Sequence, residues 1–98
     1  FAWVAVVNRL IVGYATATKQ FSTWKGREVL YLDCLYLQPA ARGRGLGRLL
    51  AQAAHRKAHE LDCVSMEWQT PAWNADAAQF YLAIGAVSAD KMRFELVT

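Results

Sequence analysis

Apolar and polar positions change their period several times along the chain, and each change marks an element. Phe1 to Val7 is an apolar run rich in Val and aromatics; after Asn8 and Arg9, Leu10 to Thr18 sets Ile11, Gly13, Ala15 and Ala17 against Val12, Tyr14, Thr16 and Thr18. A period of two on both sides of a polar break predicts a β-hairpin. Lys19 to Glu28 is largely polar, with Trp24 and Gly26. Val29 to Leu37 then runs apolar, interrupted only by Asp33 and Cys34, which predicts a central strand buried on both faces. Beyond Pro39 and a Gly-rich loop, Leu46, Leu49, Leu50, Ala53, Ala54, Ala58 and Leu61 recur in steps of three and four, the period of an amphipathic helix.

The second half is shorter in every element. Cys63 to Gln69 is strand-like, and Thr70 to Asn74 reads as a loop. Asn74 predicts the N-cap of a helix over Ala75 to Ile84, with Asp76 in its first turn and Gly85 as its stop. The tail, Ala86 to Thr98, alternates Met92, Phe94 and Leu96 with Arg93 and Glu95, so two short strands or a hairpin are expected there. Strands and two principal helices in this order define an α/β (α+β) domain. No repeat, linker or low-complexity segment divides it.

Length and composition narrow what such a domain can be. Ninety-eight residues hold one core, so residues 1–98 form a single domain. At 55% hydrophobic and 19% charged residues the chain is no disordered tail, coiled coil or collagen-like fibre. Its longest apolar run is far below the ~20 residues of a membrane span, and no charged leader precedes it; a cytoplasmic protein without membrane attachment is expected. The chain opens in strand-like sequence with Phe instead of Met, and natural sequence upstream is expected. Cys34 and Cys63 lack paired metal-ligand spacing and are expected to be buried free thiols.

Charge is concentrated. The formal net charge is +3, and between Gln38 and Glu60 lie Arg42, Arg44, Arg48, Arg56 and Lys57 against the single acid Glu60. The loop Arg42-Gly43-Arg44-Gly45-Leu46-Gly47 opens directly into the first helix. Backbone N–H groups at a helix N-terminus are unpaired and carry the positive dipole end, and glycines allow an anionic phosphate to approach them. It is not a Walker loop, since no Gly-Lys-Ser or Gly-Lys-Thr closes it, and its glycine spacing is not the dinucleotide fingerprint. On the glycines alone, a flexible turn with solvated arginines accounts for the loop equally well.

The spacing adds more. Arg42-Gly43-Arg44-Gly45-Leu46-Gly47 fits the R-x-x-G-x-G signature of the GNAT superfamily of N-acetyltransferases, and Asn74 through Ala86, a helix carrying Phe80-Tyr81 and ending in Gly85-Ala86, resembles that family's second signature. Trp24 through Asp33 resembles the diamine (spermidine/spermine-type) and thialysine acetyltransferase branch, where a Trp-x-Gly turn precedes a Tyr-Leu-Glu-Asp strand. The resemblance implies a mixed, mainly antiparallel sheet with two principal helices, N-terminally truncated so that it lacks the family's first strand and two helices, which build much of the acceptor pocket. It implies acetyl-CoA as co-substrate, no metal, and direct attack by a primary amine, either a polyamine-like small molecule or a lysine side chain. A homodimer is expected, to cover the side those helices would occupy.

The resemblance also assigns roles. The backbone of Arg42, Gly43, Arg44, Gly45, Leu46, Gly47 and Arg48 would hold the pyrophosphate, Leu35, Tyr36 and Leu37 the pantetheine arm, and Asn74 and Tyr81 would lie beside the cofactor. Tyr81 would be the general acid for the departing thiolate: a phenol near ~10 can protonate a thiolate whose thiol has a pKa near ~8.5. Against this, Phe80 and Tyr81 also suit a helix core. Asp33 stands where the branch has Glu, and Cys34 where it has Asp. Asp33 is a candidate general base acting through water, a specificity anion for a cationic substrate, or a structural group. Trp73 either walls the acceptor channel or packs beside Asn74. Cys34 as a nucleophile lacks a paired His nearby in sequence. His55 and His59 stand four apart but without the Glu of a His-Glu-x-x-His site, so a solvated face accounts for them.

Two rivals remain at this stage. One is a CoA-binding or interaction module without catalysis. The other is a nucleic-acid module on the Arg42-Arg44-Arg48-Arg56-Lys57 surface; against it, the aromatics are embedded in apolar runs and +3 is a weak charge for that role.

Overall fold

A computed structural model describes all residues, 1–98. Strands β1 (Ala2–Val7) and β2 (Leu10–Ser22) form the expected antiparallel hairpin. Its two turn residues, Asn8 and Arg9, have φ of 50° and 66°, the left-handed pair that matches the twist of a two-residue hairpin turn. Strand β3 (Arg27–Leu37) pairs antiparallel with β2, and β4 (Met66–Glu67) pairs parallel with β3 in the sheet order β1-β2-β3-β4. Helix α1 (Leu46–Glu60) connects β3 to β4, and α2 (Ala75–Ala83) follows β4. The Asn74 side chain accepts the Ala77 N–H at 3.2 Å as the predicted N-cap, and Gly85 leaves α2 with φ 99°.

The core lies between α1 and one sheet face. Leu30, Ala15 and Ala54 are wholly buried, with Leu32, Leu50, Ala17 and Ala58 around them. Alanines on both α1 and β2 bring the helix backbone close to the sheet, so most of the buried volume comes from three leucines. Each fully buried leucine contributes about 1.5–3 kcal/mol.

The interior of β3 departs from the simple expectation. Leu30 and Leu32 face α1, but beyond them Leu35 and Leu37 pack against the same core. A strand alternates strictly, so spacings of two, three and two on one face require an extra residue. The ladder pairs Cys34 with Thr16 and Leu32 with Ala17, leaving Asp33 without a partner: this is a β-bulge. Burial on both faces, predicted for the whole strand, holds only for Val29 through Leu32 apart from a half-buried Tyr31; Asp33 and Tyr36 are exposed.

Three further expectations are corrected. The strand expected over Cys63 to Gln69 is reduced to Met66–Glu67, because β3 and β4 share only the pairs Leu30–Met66 and Tyr31–Glu67 before they separate. The tail from Ala86 forms no strands, and Phe94 and Leu96 are 83% and 93% exposed. Alternation favours a strand only where a ladder partner exists, and a two-residue β4 offers almost no edge. Cys34 and Cys63 are free thiols, as expected, but half-buried.

Candidate functional site

The cradle is built by two left-handed glycines. Gly43 and Gly45 have φ of 78° and 79°, a region that costs other L-residues about 1–2 kcal/mol, and they turn the chain from Ala41 into α1. Gly45 caps α1 without any side chain. The backbone N–H groups of Gly43 through Arg48 donate to no carbonyl or side chain of the protein; the first helical bond at this end is Leu49 N–H to Gly45 at 3.1 Å. No acidic residue lies in the first turn. Six consecutive donors at the positive end of a 15-residue helix are well suited to an oxyanion with several acceptor atoms, such as a pyrophosphate.

The arginines around the cradle do not act alike. Arg42 Nε donates to the Leu37 carbonyl at 3.0 Å, and its guanidinium lies 5.8 Å from the Tyr36 ring centroid. Arg48 donates to the Ala83 carbonyl at 3.4 Å, a cation at the negative end of α2. Only Arg44, among the three, has a side chain with no hydrogen bond, ion pair or aromatic partner. The two engaged arginines therefore shape the cradle; the backbone N–H groups of Arg44 and Arg48 belong to its free donors, whereas that of Arg42, expected among them, is bonded to the Pro39 carbonyl at 3.3 Å.

Helix α2 reaches the same place. Gly47 is buried, and a Cβ there would lie 3.2 Å from Cζ of Phe80; the missing side chain lets α2 seat on the head of α1. One residue on, the Tyr81 ring stands edge-on to Trp68 with centroids 5.2 Å apart. Burial pushes the Tyr81 phenol above the ordinary tyrosine range, and the nearby Cys34 thiol adds to the shift. The phenol therefore keeps its proton throughout neutral pH. The Asn74 side-chain oxygen caps α2, and Trp73 is 81% exposed.

The bulge exposes a second group of residues. Beyond Tyr31 the edge of β3 that faced β4 has no strand partner, so Leu35, Tyr36 and Leu37 lie on an unpaired stretch, where the Leu37 carbonyl accepts from Arg42. On the sheet face away from α1, Tyr14 and Tyr36 are cross-strand neighbours with rings 5.9 Å apart, and the Cys34 thiol donates to the Tyr14 hydroxyl at 3.5 Å. That contact is the leading cause pushing the Tyr14 phenol upward. Asp33 Oδ2 accepts the Thr18 hydroxyl at 2.7 Å.

Tyr14, Thr18 and Trp68 were not singled out from the sequence. A signal was available for the first two: Tyr14, Thr16 and Thr18 alternate with the buried Ala15 and Ala17, and the Leu30, Leu32, Leu35, Leu37 spacing requires the bulge that turns Asp33 toward them. Trp68 gave no such signal. His55 and His59 are exposed, with rings 4.9 Å apart, and no group of three or more potential metal ligands exists. No helix is long and apolar enough to cross a membrane.

A four-stranded mixed sheet, with a Gly-rich turn of six free backbone donors between β3 and the helix that leads to β4, defines the class to which this chain answers. Residues 1–86 match the acetyltransferase (GNAT) family, and the chain belongs to that family. It is 34% identical over 76 residues to a thialysine N-epsilon-acetyltransferase of Bos taurus, covering 78% of this chain and 44% of the relative. It is 30% identical over 84 residues to a D-amino-acid N-acetyltransferase of Saccharomyces cerevisiae, covering 86% and 52%. Among solved structures, an aminoglycoside N-acetyltransferase in complex with CoA shares the fold, with TM-score 0.90, 21% identity, and coverage of 99% of this chain and 75% of that one. The chain spans about half the length of these two curated relatives. The resemblance to the thialysine branch therefore holds at the level of sequence.

Proposed function

We propose that this chain transfers the acetyl group of acetyl-CoA to a primary amine by direct attack. The observation that carries the reading is the meeting of two features at the head of α1: the six free N–H groups of Gly43 through Arg48, and helix α2, whose Phe80 packs on Gly47 and whose next residue is the protonated Tyr81. The cradle would hold the pyrophosphate, and the open edge of Leu35, Tyr36 and Leu37 would hold the pantetheine arm. The amine nitrogen bonds to the thioester carbon, the carbon–sulfur bond breaks, and the departing thiolate takes the Tyr81 proton. The amine's own proton leaves through water to Asp33. Cys34 donates to Tyr14 and has no paired base, which agrees with direct transfer over a covalent intermediate.

The acceptor proposed is a small cationic amine or a lysine side chain. Asp33 with Tyr14 and Tyr36 on an uncovered face offers a carboxylate and aromatic rings to a cation, and the two curated relatives are named for amine-bearing amino acids. A homodimer is proposed because Val4, Val6 and Ile11 lie 54–61% exposed on the hairpin. A cytoplasmic location agrees with two unpaired thiols. The nucleic-acid reading is disfavoured because Arg42 and Arg48 are engaged within the protein. The test is acetyl-CoA turnover against thialysine, ornithine, spermidine and a D-amino acid, with light scattering on the same sample. Turnover of at least one amine by a dimeric species is expected. CoA binding with no turnover would leave the non-catalytic module, and a monomer across micromolar concentrations would remove the dimer.

A further inference from the structure

We infer that Thr18 is the positioning residue for Asp33, an inference that rests on the acetyl-transfer reading above. Asp33 is the one residue of β3 that the bulge leaves without a cross-strand partner, so the ladder does not hold it as it holds its neighbours. No lysine or arginine forms an ion pair with its carboxylate. Its one polar partner is the Thr18 hydroxyl, 2.7 Å from Oδ2, a well-formed O–H···O hydrogen bond. Oδ1 has no partner in the protein.

Thr18 is well built to hold a carboxylate. It lies in the paired part of β2, opposite Tyr31, and a β-branched side chain in a strand is stiff about χ1. Its hydroxyl thus comes from a fixed backbone to a residue that lacks one. With Oδ2 taken, the carboxylate plane is set, and Oδ1 is the oxygen left to receive the acceptor's proton. Such an arrangement acts on turnover through orientation, and small displacements of a reacting group cost rate steeply. A bond that only closed the bulge would instead act on stability.

The test uses the full chain with whichever amine of the panel above turns over fastest. Thr18→Val keeps the branched shape and removes the donor, and Thr18→Ser restores it. Thr18→Val should lower kcat about tenfold with the KM for acetyl-CoA within about twofold, and Thr18→Ser should recover most of the loss. In an Asp33→Asn background, where kcat is already ~10²-fold down, adding Thr18→Val should cost less than about twofold, since the two residues act as a unit. Multiplicative losses in the double variant, no loss in Thr18→Val, or no rescue by Ser would each overturn the positioning role while leaving the acetyl transfer intact. An unimpaired Asp33→Asn would remove Asp33 as base and Thr18 with it. A parent without turnover on any amine would instead count against the reaction itself, and the positioning role would fall with it.

Discussion

Tyr81→Phe is expected to lower turnover by ~10²-fold or more, with CoA affinity within about threefold of the parent. The substitution keeps the ring that stands edge-on to Trp68 and removes only the hydroxyl. A purely packing tyrosine would lose little from such a change. A general acid loses the proton that must reach the sulfur as the carbon–sulfur bond breaks. The direction of the Tyr81 shift bears on the size of the effect. Burial raises the phenol above its ordinary ~10, which keeps it protonated but widens its gap from a thiol near ~8.5, so the gain falls toward the lower end of the ~10²- to 10⁴-fold range for positioned acids.

The same shift sets the pH dependence. A group that must be protonated supports turnover below its pKa and loses it above. The alkaline limb that Tyr81 contributes should therefore lie above pH ~10 and be absent in Tyr81→Phe. Rates at saturating acetyl-CoA from pH 7 to 11 read both effects, with the fold followed by circular dichroism at each pH. Turnover within threefold of the parent and an unchanged alkaline limb would return Tyr81 to a packing role.

Gly45→Glu should weaken CoA binding by ~100-fold or more. A side chain at this position meets open space, with nothing within 4 Å of a Cβ, so a glutamate places its charge, without a clash, in the middle of the run of six donors. A like charge ~4 Å from a phosphate costs several kcal/mol at an effective dielectric near 20, and ~2.7 kcal/mol is already a hundredfold in Kd. The backbone complicates this variant: with φ at 79°, any side chain costs about 1–2 kcal/mol. Gly45→Ala carries that strain without the charge and is expected to bind CoA within about tenfold of the parent. Calorimetry on both separates strain from repulsion, and a folded Gly45→Glu of parental affinity would place the pyrophosphate elsewhere.

Local chemistry was strong enough to be read without the fold wherever one stretch of chain contained the whole cause. The hairpin needs only alternation around Asn8 and Arg9. The length of α1 follows from its apolar steps, and the start of α2 from the Asn74 cap. The cradle is equally local, since its donors are consecutive backbone groups at a helix start and its glycines, Gly43, Gly45 and Gly47, fall within five residues. The resemblance to the GNAT family was carried by those same short segments, and the family match extends over residues 1–86.

What the tertiary structure decided are the relations between distant segments. Pairing between β2 and β3 reveals the bulge, although the leucine spacing required one; it moves Asp33 from a supposed interior position to an exposed one beside Thr18. Packing of Phe80 on Gly47 seats α2 on the head of α1, a meeting of residues 33 apart that periodicity cannot see. Nothing in the sequence distinguishes Arg42 and Arg48 from Arg44; the fold does, since the Leu37 and Ala83 carbonyls accept from the first two. The tail shows the same limit from the other side. Its alternation is that of a strand, but a strand is stabilised by the ladder it joins, and whether an edge exists to join is a property of the assembled sheet.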